Sequence, residues 1–329
     1  MPDQQVTQSE ILSELASGAT LSGSALAGRL GVTRTAVWKH IERLRAAGVS
    51  VQAQAGSGYR LAAPIDLLDH DAILAAMGAE HRRSLGELGV HWEIDSTNSE
   101  LLRRASSDPR DRLACIAERQ SAGRGRHGRT WCAPLGGGLM LSLLKRFDMS
   151  MAALSGLSLA VGVAVVRAIV DSGIAGAGVK WPNDIVDGNR KLAGVLIELG
   201  GDALGPCFAV IGIGLNIRMS VEFSASIDQP CVDLATLAGA ELPSRNIIAG
   251  RVLARLLEAS DVFASDGFAA FAPEYVAVDA LRGRPIRIVS ASGERSGVAC
   301  GIDARGALRV RGNADEFRVD SGEVSVRPI

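Results

Sequence analysis

The sequence predicts an α+β chain of three domains: a helical N-terminal unit, a mixed α/β middle and an all-β tail. Three observations carry this. A length of 329 residues, at about 100–200 residues per domain, gives two or three domains. Hydrophobic residues make up 47% and charged residues 22%, the balance of a globular protein with a sizeable core. The apolar spacing also changes twice along the chain, from helical, to alternating helix and strand, to short strands. The boundaries expected are 1–63, 64–276 and 277–329.

The N-terminal unit reads element by element. Ile11, Leu12 and Leu15 recur at helical spacing. Ser22 to Ser24 offer a turn and cap for a short helix carrying Ala25, Leu26 and Leu30, which Gly31 ends. Thr33 caps a third helix with Val37, Ile41 and Leu44 on one face, ending at Gly48. Two helices joined by a short glycine-containing turn form a helix-turn-helix. Val49–Ala53 and Gly58–Leu61 read as strands around a turn at Ala55–Gly58, which makes this a winged variant. Five of its six basic residues (Arg34, Lys39, Arg43, Arg45 and Arg60) lie in or beside the third helix and the wing. That polarity suits a phosphate-facing surface. The alternative is the solvated face of an amphipathic helix. Trp38 reads either as DNA-facing or as core.

Ala62–Pro64 reads as a linker. In the tail, Pro285–Val289, Gly297–Ile302, Ala307–Arg311 and Glu323–Arg327 are short alternating strands, the pattern of a small β-barrel. The most apolar stretch, 151–170, is rich in Ala, Gly and Ser at a helical period, and reads as a buried helix rather than a membrane span. Five cysteines, none in a Cys-x-x-Cys pair, fit reduced thiols, and no secretory signal opens the chain. A cytoplasmic protein is expected. With 35 basic and 36 acidic side chains the net charge of −1 excludes a globally basic coat protein, but not a local basic face.

Four clusters in the middle domain carry chemistry. Asp95-Ser-Thr-Asn98 follows a strand-like run, and its small polar side chains can cap a helix or bind a small polar ligand. Gln120 to Trp131 contains Gly123, Gly125 and Gly128 at dinucleotide-fingerprint spacing. No helix opens at the last glycine, so the dinucleotide reading fails. What remains is a flexible loop presenting Arg124, Arg126 and Arg129, suited to wrapping a polyphosphate. Lys180-Trp-Pro-Asn-Asp184 and Lys191 flank a hairpin turn at Asp187-Gly188, which brings Lys180 and Asp184 toward Lys191. Asp184 could hold Mg²⁺ on a nucleotide. Val210 to Asn216 is a buried strand whose glycines permit close backbone approach to a ligand. There is no Walker A, His-Glu-x-x-His or Gly-x-Ser-x-Gly motif, so covalent triads and zinc hydrolysis have no support.

Ser96-Thr-Asn98, Gln120 with Gly123-Arg-Gly-Arg-His-Gly-Arg129, Lys180-Trp-Pro-Asn-Asp184, Arg190-Lys-Leu-Ala-Gly194 and Gly212-Ile-Gly-Leu-Asn216, in this order, resemble the bifunctional biotin–[acetyl-CoA-carboxylase] ligase and biotin operon repressor family. The resemblance covers essentially the whole chain. It implies a class II synthetase-like catalytic domain and an SH3-like C-terminal barrel. It implies ATP, Mg²⁺ and biotin, with biotinyl-5'-AMP as intermediate and corepressor. The implied partners are a biotin carboxyl carrier protein and, for a homodimer, a DNA operator, with no membrane.

The resemblance also implies roles. Ser96, Thr97, Asn98 and Gln120 would hold biotin's ureido ring, with Gly194 and Gly212 in the same pocket. Arg124, Gly125 and Arg126 would close over the intermediate. Lys191, Arg126 and Lys180 would be catalytic, Lys191 at both carboxylate and phosphate. Arg126, Arg129, Trp131, Lys180, Asn183, Asp184 and Asn216 would serve ATP and the adenylate, with Trp131 stacked on adenine. Thr33, Arg34, Thr35, Trp38 and Lys39 would face DNA. His127 stands where the best-known member has a basic residue, and a histidine is only partly charged near neutral pH. The alternatives are a lipoate or octanoate ligase of the same fold, and a ligand-sensing transcription factor without ligase activity. A third is a winged helix that serves only as a lid.

Overall fold

The computed structural model describes residues 3–54, 56–239, 241–290, 293–312, 315–320 and 324–328. Its N-terminal unit holds α1 (Asp3–Ala16), α2 (Gly23–Leu30), α3 (Arg34–Ala46) and the wing β1 (Val51–Gln54) and β2 (Gly58–Leu61). The caps are the expected ones. Ser22 and Thr33 accept from Ala25 and Ala36 N–H groups at 3.0 and 3.1 Å, and Gly31 ends α2 in the left-handed region. Of the expected wing turn, Ala55 lies outside the described residues. Val37, Ile41 and Leu44 pack on Ile11, Leu12 and Leu15, so the three stripes form one core. That core does not end inside the unit: Leu135 of the middle domain is buried in it, with Ile65, Leu67 and Trp92 against it.

The middle domain follows as α4 (His70–Ala76), α5 (Ala79–Ser84), β3 (Glu87–Ile94), α6 (Thr97–Ser107), β4 (Leu113–Gln120), β5 (Gly138–Phe147), α7 (Leu157–Asp171), β6 (Gly178–Lys180), β7 (Asp184–Asp187), β8 (Arg190–Gly201), β9 (Cys207–Asn216), α8 (Val221–Ala225), α9 (Leu234–Ala238), α10 (Arg245–Asp266) and α11 (Ala272–Val278). The strands form one sheet in the order β3-β4-β5-β9-β8-β7-β6, with β3–β4 parallel and the other pairs antiparallel. Helix α7, the apolar stretch, is largely buried and packs on α10.

Strand parity assigns the two faces, because successive side chains point to opposite sides. Leu139, Leu141 and Leu143 of β5, with Ile211 and Ile213 of β9, join the core with α7 and α10. The alternate residues, Ser142 and Leu144 with Val210 and Gly212, face α6. The functional cleft opens on this second face.

The segment just after the linker is held by a polar network centred on a buried ion pair. Arg245, at the start of α10, pairs with Glu118 of β4, and both side chains are at most 5% exposed. Glu118 also accepts from the Leu68 N–H, and Asp66 accepts from the Arg245 N–H and the Asn246 amide.

The tail is a five-stranded antiparallel sheet, ordered β13-β12-β11-β10-β14: β10 (Pro285–Ser290), β11 (Gly293–Ile302), β12 (Leu308–Arg311), β13 (Glu316–Val319) and β14 (Val324–Pro328). Strand β13 was not expected, and Glu323 of the expected last strand lies outside the described residues. Helix α11 runs to Val278, two residues past the expected boundary. The tail's apolar residues continue the middle-domain core, and Trp181 donates to the Gly306 carbonyl at 3.0 Å.

Candidate active site

A cleft of about 890 Å³ runs across the α6 face of the sheet, from the α6 N-terminus to the β6–β8 hairpin. At one end β3 runs out and α6 begins, which buries Ser96, Thr97 and Asn98 against the sheet. Ser96 caps the helix, as the simpler of the two readings expects, with Oγ 3.4 Å from the Ser99 N–H it accepts. Thr97 and Asn98 do something else. The Thr97 N–H and hydroxyl donate to Gln120 Oε1 at 2.7 and 3.0 Å. Ser142 Oγ lies 2.7 Å from Thr97 Oγ1 and 2.6 Å from Asn98 Oδ1. Asn98 Nδ2 donates to Glu198 Oε2 at 2.8 Å and to the Leu196 carbonyl at 3.3 Å. These bonds fix both amide orientations. Gln120 spends its oxygen on Thr97, so its NH₂ group is what remains for the cleft.

Asn98 seats itself over Gly212. In register, Gly212 lies between Ser142 of β5 and Leu196 of β8, two of Asn98's partners. A Cβ on Gly212 would stand 2.3 Å from Asn98 Oδ1, and one on Gly214 would stand 2.2 Å from Trp131 Cε2. The glycines of β9 thus make room for the cleft's own side chains, rather than only for a ligand as the sequence suggests. Lys191 Nζ lies 5.7 Å from the centre of the Trp131 ring. A Cβ on Gly194 would sit 3.3 Å from Lys191 Nζ and 3.4 Å from Trp131 Cζ3. Trp131 Nε1 is buried without a hydrogen-bond partner and is thereby a spare donor.

The loop expected to be flexible is tied by its own backbone. The Gly125 N–H donates to the Arg129 carbonyl at 2.7 Å, and the Trp131 N–H to that of Gly123 at 3.0 Å. A single turn of 3₁₀ helix spans Arg126–Gly128, with His127 at φ 56°; no α-helix opens there. Arg124 Nη2 donates to Glu198 Oε2 at 2.8 Å. Arg126 Nη1 reaches Asn183 Oδ1 at 3.3 Å, and Asn183 Nδ2 donates to the Val195 carbonyl at 2.7 Å. Arg129 stands exposed on the rim.

At the far end the hairpin does bring the lysines together. Lys180 is opposite Asp184 in register, and Lys191 Nζ lies 2.7 Å from Asp184 Oδ1. Burial holds the Lys180 ammonium below its ordinary pKa; Asp184 opposes this, and Lys191, Arg327 and Arg284 add to it. Burial likewise lowers Arg126, with Asp184 opposing. Lys191 thus pairs with Asp184 while Lys180 and Arg126 feel the same carboxylate, a cationic grouping suited to an anion. No cluster of three His, Cys, Asp or Glu residues able to hold a metal exists among the described residues. Asp184 alone fits Mg²⁺ as that ion is commonly held, by one carboxylate with substrate phosphates.

Asn216 sits at the end of β9, beside the cleft rather than in it. Its amide donates to the carbonyls of Lys191 at 3.4 Å and Val232 at 3.1 Å. It ties β9 to the segment 230–232, which straps Lys191 through its backbone N–H and carbonyl. Sequence reasoning missed Ser142, Glu198 and Arg327, the last of which reaches the cleft from the tail. A lone serine within the apolar run of β5 was the available signal for the first. On the winged unit Thr33, Arg34, Thr35 and Lys39 are exposed, and Trp38 is 52% exposed, which removes it from the core.

Comparison with known proteins follows this architecture. Residues 92–216 match the biotin/lipoate A/B protein ligase family, 7–60 an HTH domain, and 282–327 the biotin protein ligase C terminal domain. The bifunctional ligase/repressor BirA of Salmonella typhimurium is 37% identical over 317 residues, covering 96% of each chain. The chain belongs to this ligase/repressor family. The Escherichia coli relative of the same name is 36% identical over 97% of this chain and 96% of its own. A biotin–[acetyl-CoA-carboxylase] ligase of Mycobacterium tuberculosis is 36% identical over 72% of this chain and 88% of its own. Biotin protein ligase from Aquifex aeolicus, solved in complex with biotin and ATP, superposes with a TM-score of 0.62 at 26% identity, over 74% of this chain and 100% of that one. The protein is a biotin–protein ligase carrying a helix-turn-helix repressor domain.

Proposed function

We propose that the cleft holds biotin at its amide end and ATP at its cationic end, and that the repressor domain reads the product of their reaction. One observation carries this: a single cleft joins the Thr97–Gln120–Asn98 network to Lys180, Lys191 and Arg126, grouped around Asp184. A mostly apolar ligand with a small polar head suits the first end. The Gln120 NH₂ and the Ser96 hydroxyl are donors for a ureido oxygen. Charge moving between carboxylate and phosphate oxygens suits the second.

In the first half-reaction, biotin's carboxylate oxygen attacks the α-phosphorus of ATP, the bond to the bridging oxygen breaks, and pyrophosphate leaves. Lys191 and Arg126 stand where the carboxylate and α-phosphate meet, and stabilise the charge that builds on phosphoryl oxygens. Lys180 and Asn183 serve the departing phosphates, and Arg129 waits at the rim. Mg²⁺, held through Asp184, supplies charge neutralisation on the phosphates when bound. Trp131 offers its ring to adenine. In the second half-reaction a lysine amine of a biotin carboxyl carrier protein attacks the acyl carbon of biotinyl-5'-AMP, giving an amide and AMP. No nucleophile of the enzyme is needed.

The intermediate doubles as corepressor: with it bound, a homodimer sets two winged units on an operator in the cytoplasm, with Thr33, Arg34, Thr35, Trp38 and Lys39 toward DNA. The test combines biotin-dependent ATP–pyrophosphate exchange, transfer to a carrier domain, and gel shift on the upstream region of biotin genes. Exchange driven by lipoate and not by biotin overturns the substrate. A gel shift indifferent to biotin and ATP overturns the corepressor.

A further inference from the structure

We propose that Glu198 is a positioning residue that fixes the biotin-side amide of Asn98 and docks the arginine loop through the same carboxylate oxygen. The proposal rests on the ligase reading and deepens it. Glu198 projects from β8 onto the cleft face. Its Oε2 atom accepts from Asn98 Nδ2 and from Arg124 Nη2, each at 2.8 Å. Three elements therefore meet at one atom: the α6 N-terminus, β8 and the 123–131 loop.

The chemistry explains the choice of a carboxylate. An asparagine amide has two nearly isosteric orientations, and only its hydrogen-bond partners select between them. Here a hydroxyl donor, Ser142, stands at the oxygen and an anion stands at the nitrogen. The same anion gives Arg124 a charged partner beside the biotin end while the neighbouring Arg126 turns to Asn183. Loop position and pocket geometry thus share one anchor. Loosening the loop from Glu198 frees one of the two bonds on that oxygen and leaves Asn98 in place. Deleting the carboxylate frees both.

Two variants separate these duties. Glu198→Gln keeps an acceptor for Asn98 and loses the ion pair. Glu198→Leu loses both at similar size. Exchange kinetics over biotin and ATP are measured, together with the rate at which pre-formed biotinyl-adenylate leaves the enzyme in a chase with unlabelled biotin. The expectation for Glu198→Gln is a KM for biotin within about threefold of wild type, with adenylate loss at least about fivefold faster. For Glu198→Leu the KM for biotin rises about 10- to 100-fold, as loss of a hydrogen bond to a charged group implies, while the KM for ATP changes little. Arg124→Ala added to Glu198→Gln accelerates release no further, since the pair acts as a unit. Release from Glu198→Gln within twofold of wild type overturns the proposal; so does an effect confined to kcat in both variants. A wild-type chain without biotin-dependent exchange sinks the ligase reading itself, a result distinct from either.

Discussion

Adding one methyl group at Gly212 tests the proposed biotin end of the cleft. The new Cβ would stand 2.3 Å from Asn98 Oδ1, 2.9 Å from its Cγ and 3.0 Å from its Nδ2. Relief needs about 1 Å of movement to reach ordinary van der Waals distance. The strand cannot recede, because β9 is paired on both sides, with Ser142 and Leu196 opposite Gly212. Asn98 must therefore yield. Its bonds to Ser142 and Glu198, now 2.6 and 2.8 Å, stretch past the hydrogen-bond limit of about 3.5 Å. A neutral bond contributes about 0.5–1.5 kcal/mol and one to a charged group about 1.5–3, so the disruption amounts to about 2–4 kcal/mol. Expressed in biotin affinity, this is roughly a 30- to 1,000-fold rise in KM. The assay is biotin-dependent pyrophosphate exchange for Gly212→Ala across a biotin titration, with the KM for ATP as internal reference. Gly28→Ala is the control, since its Cβ meets nothing within 4 Å. A KM for biotin within threefold of wild type refutes the view that Asn98 is immovable and that the pocket depends on it.

Other outcomes follow from the same structure. Arg245→Met leaves Glu118 charged and unpaired in the interior, which costs about 3–5 kcal/mol, read as a lower urea midpoint; Glu118→Leu combined with Arg245→Met recovers most of it. Lys180 has a folded pKa below its unfolded one, so the folded state binds fewer protons between the two. Stability therefore rises with pH in that window, while ATP affinity falls as the lysine loses its charge. A KM for ATP that climbs at lower alkaline pH than a free lysine would give, and stays flat in Lys180→Arg, is the expected profile. Burial pushes the Cys115 thiol up to about 12, while Cys132 is exposed. Iodoacetamide at about pH 8 therefore labels Cys132 in the native protein and Cys115 only after unfolding, as peptide mass spectrometry would report. Lys39→Ala weakens DNA binding evenly across sequences and lowers the salt slope of the gel-shift constant by about one.

Much of this was legible in the sequence where the cause is local. The winged unit could be read because each helix carries its own start and stop within a few residues: Ser22, Gly31 and Thr33. The cationic loop and the Lys180–Lys191 hairpin were legible for the same reason, since a two-residue turn fixes which residues face each other. What escaped depends on pairing between distant strands. Ser142 and Glu198 meet Asn98 only once β5, β9 and β8 lie side by side. Asn216 has the strand-end position of a ligand-binding group. Its NH₂ group also donates to the Lys191 and Val232 carbonyls, a partner set that no spacing predicts. Trp38 could not be placed by periodicity alone, because the stripe of Val37, Ile41 and Leu44 passes beside it on the helix. The Glu118–Arg245 pair spans 127 residues of chain and leaves no mark in either neighbourhood.

The apolar core of the winged unit, closed by Leu135 and flanked by Ile65, Leu67 and Trp92, bears on how such a chain can be shortened. The DNA reader is not a bead on a string. Cutting at the linker would leave Leu135 and Trp92 facing water, and would turn a buried seam into a sticky patch. A stand-alone ligase carved from this protein should be engineered at that seam before it is cut, with polar replacements at 135 and 92. The same seam joins the reader to Trp92 on β3, the edge strand of the seven-stranded sheet.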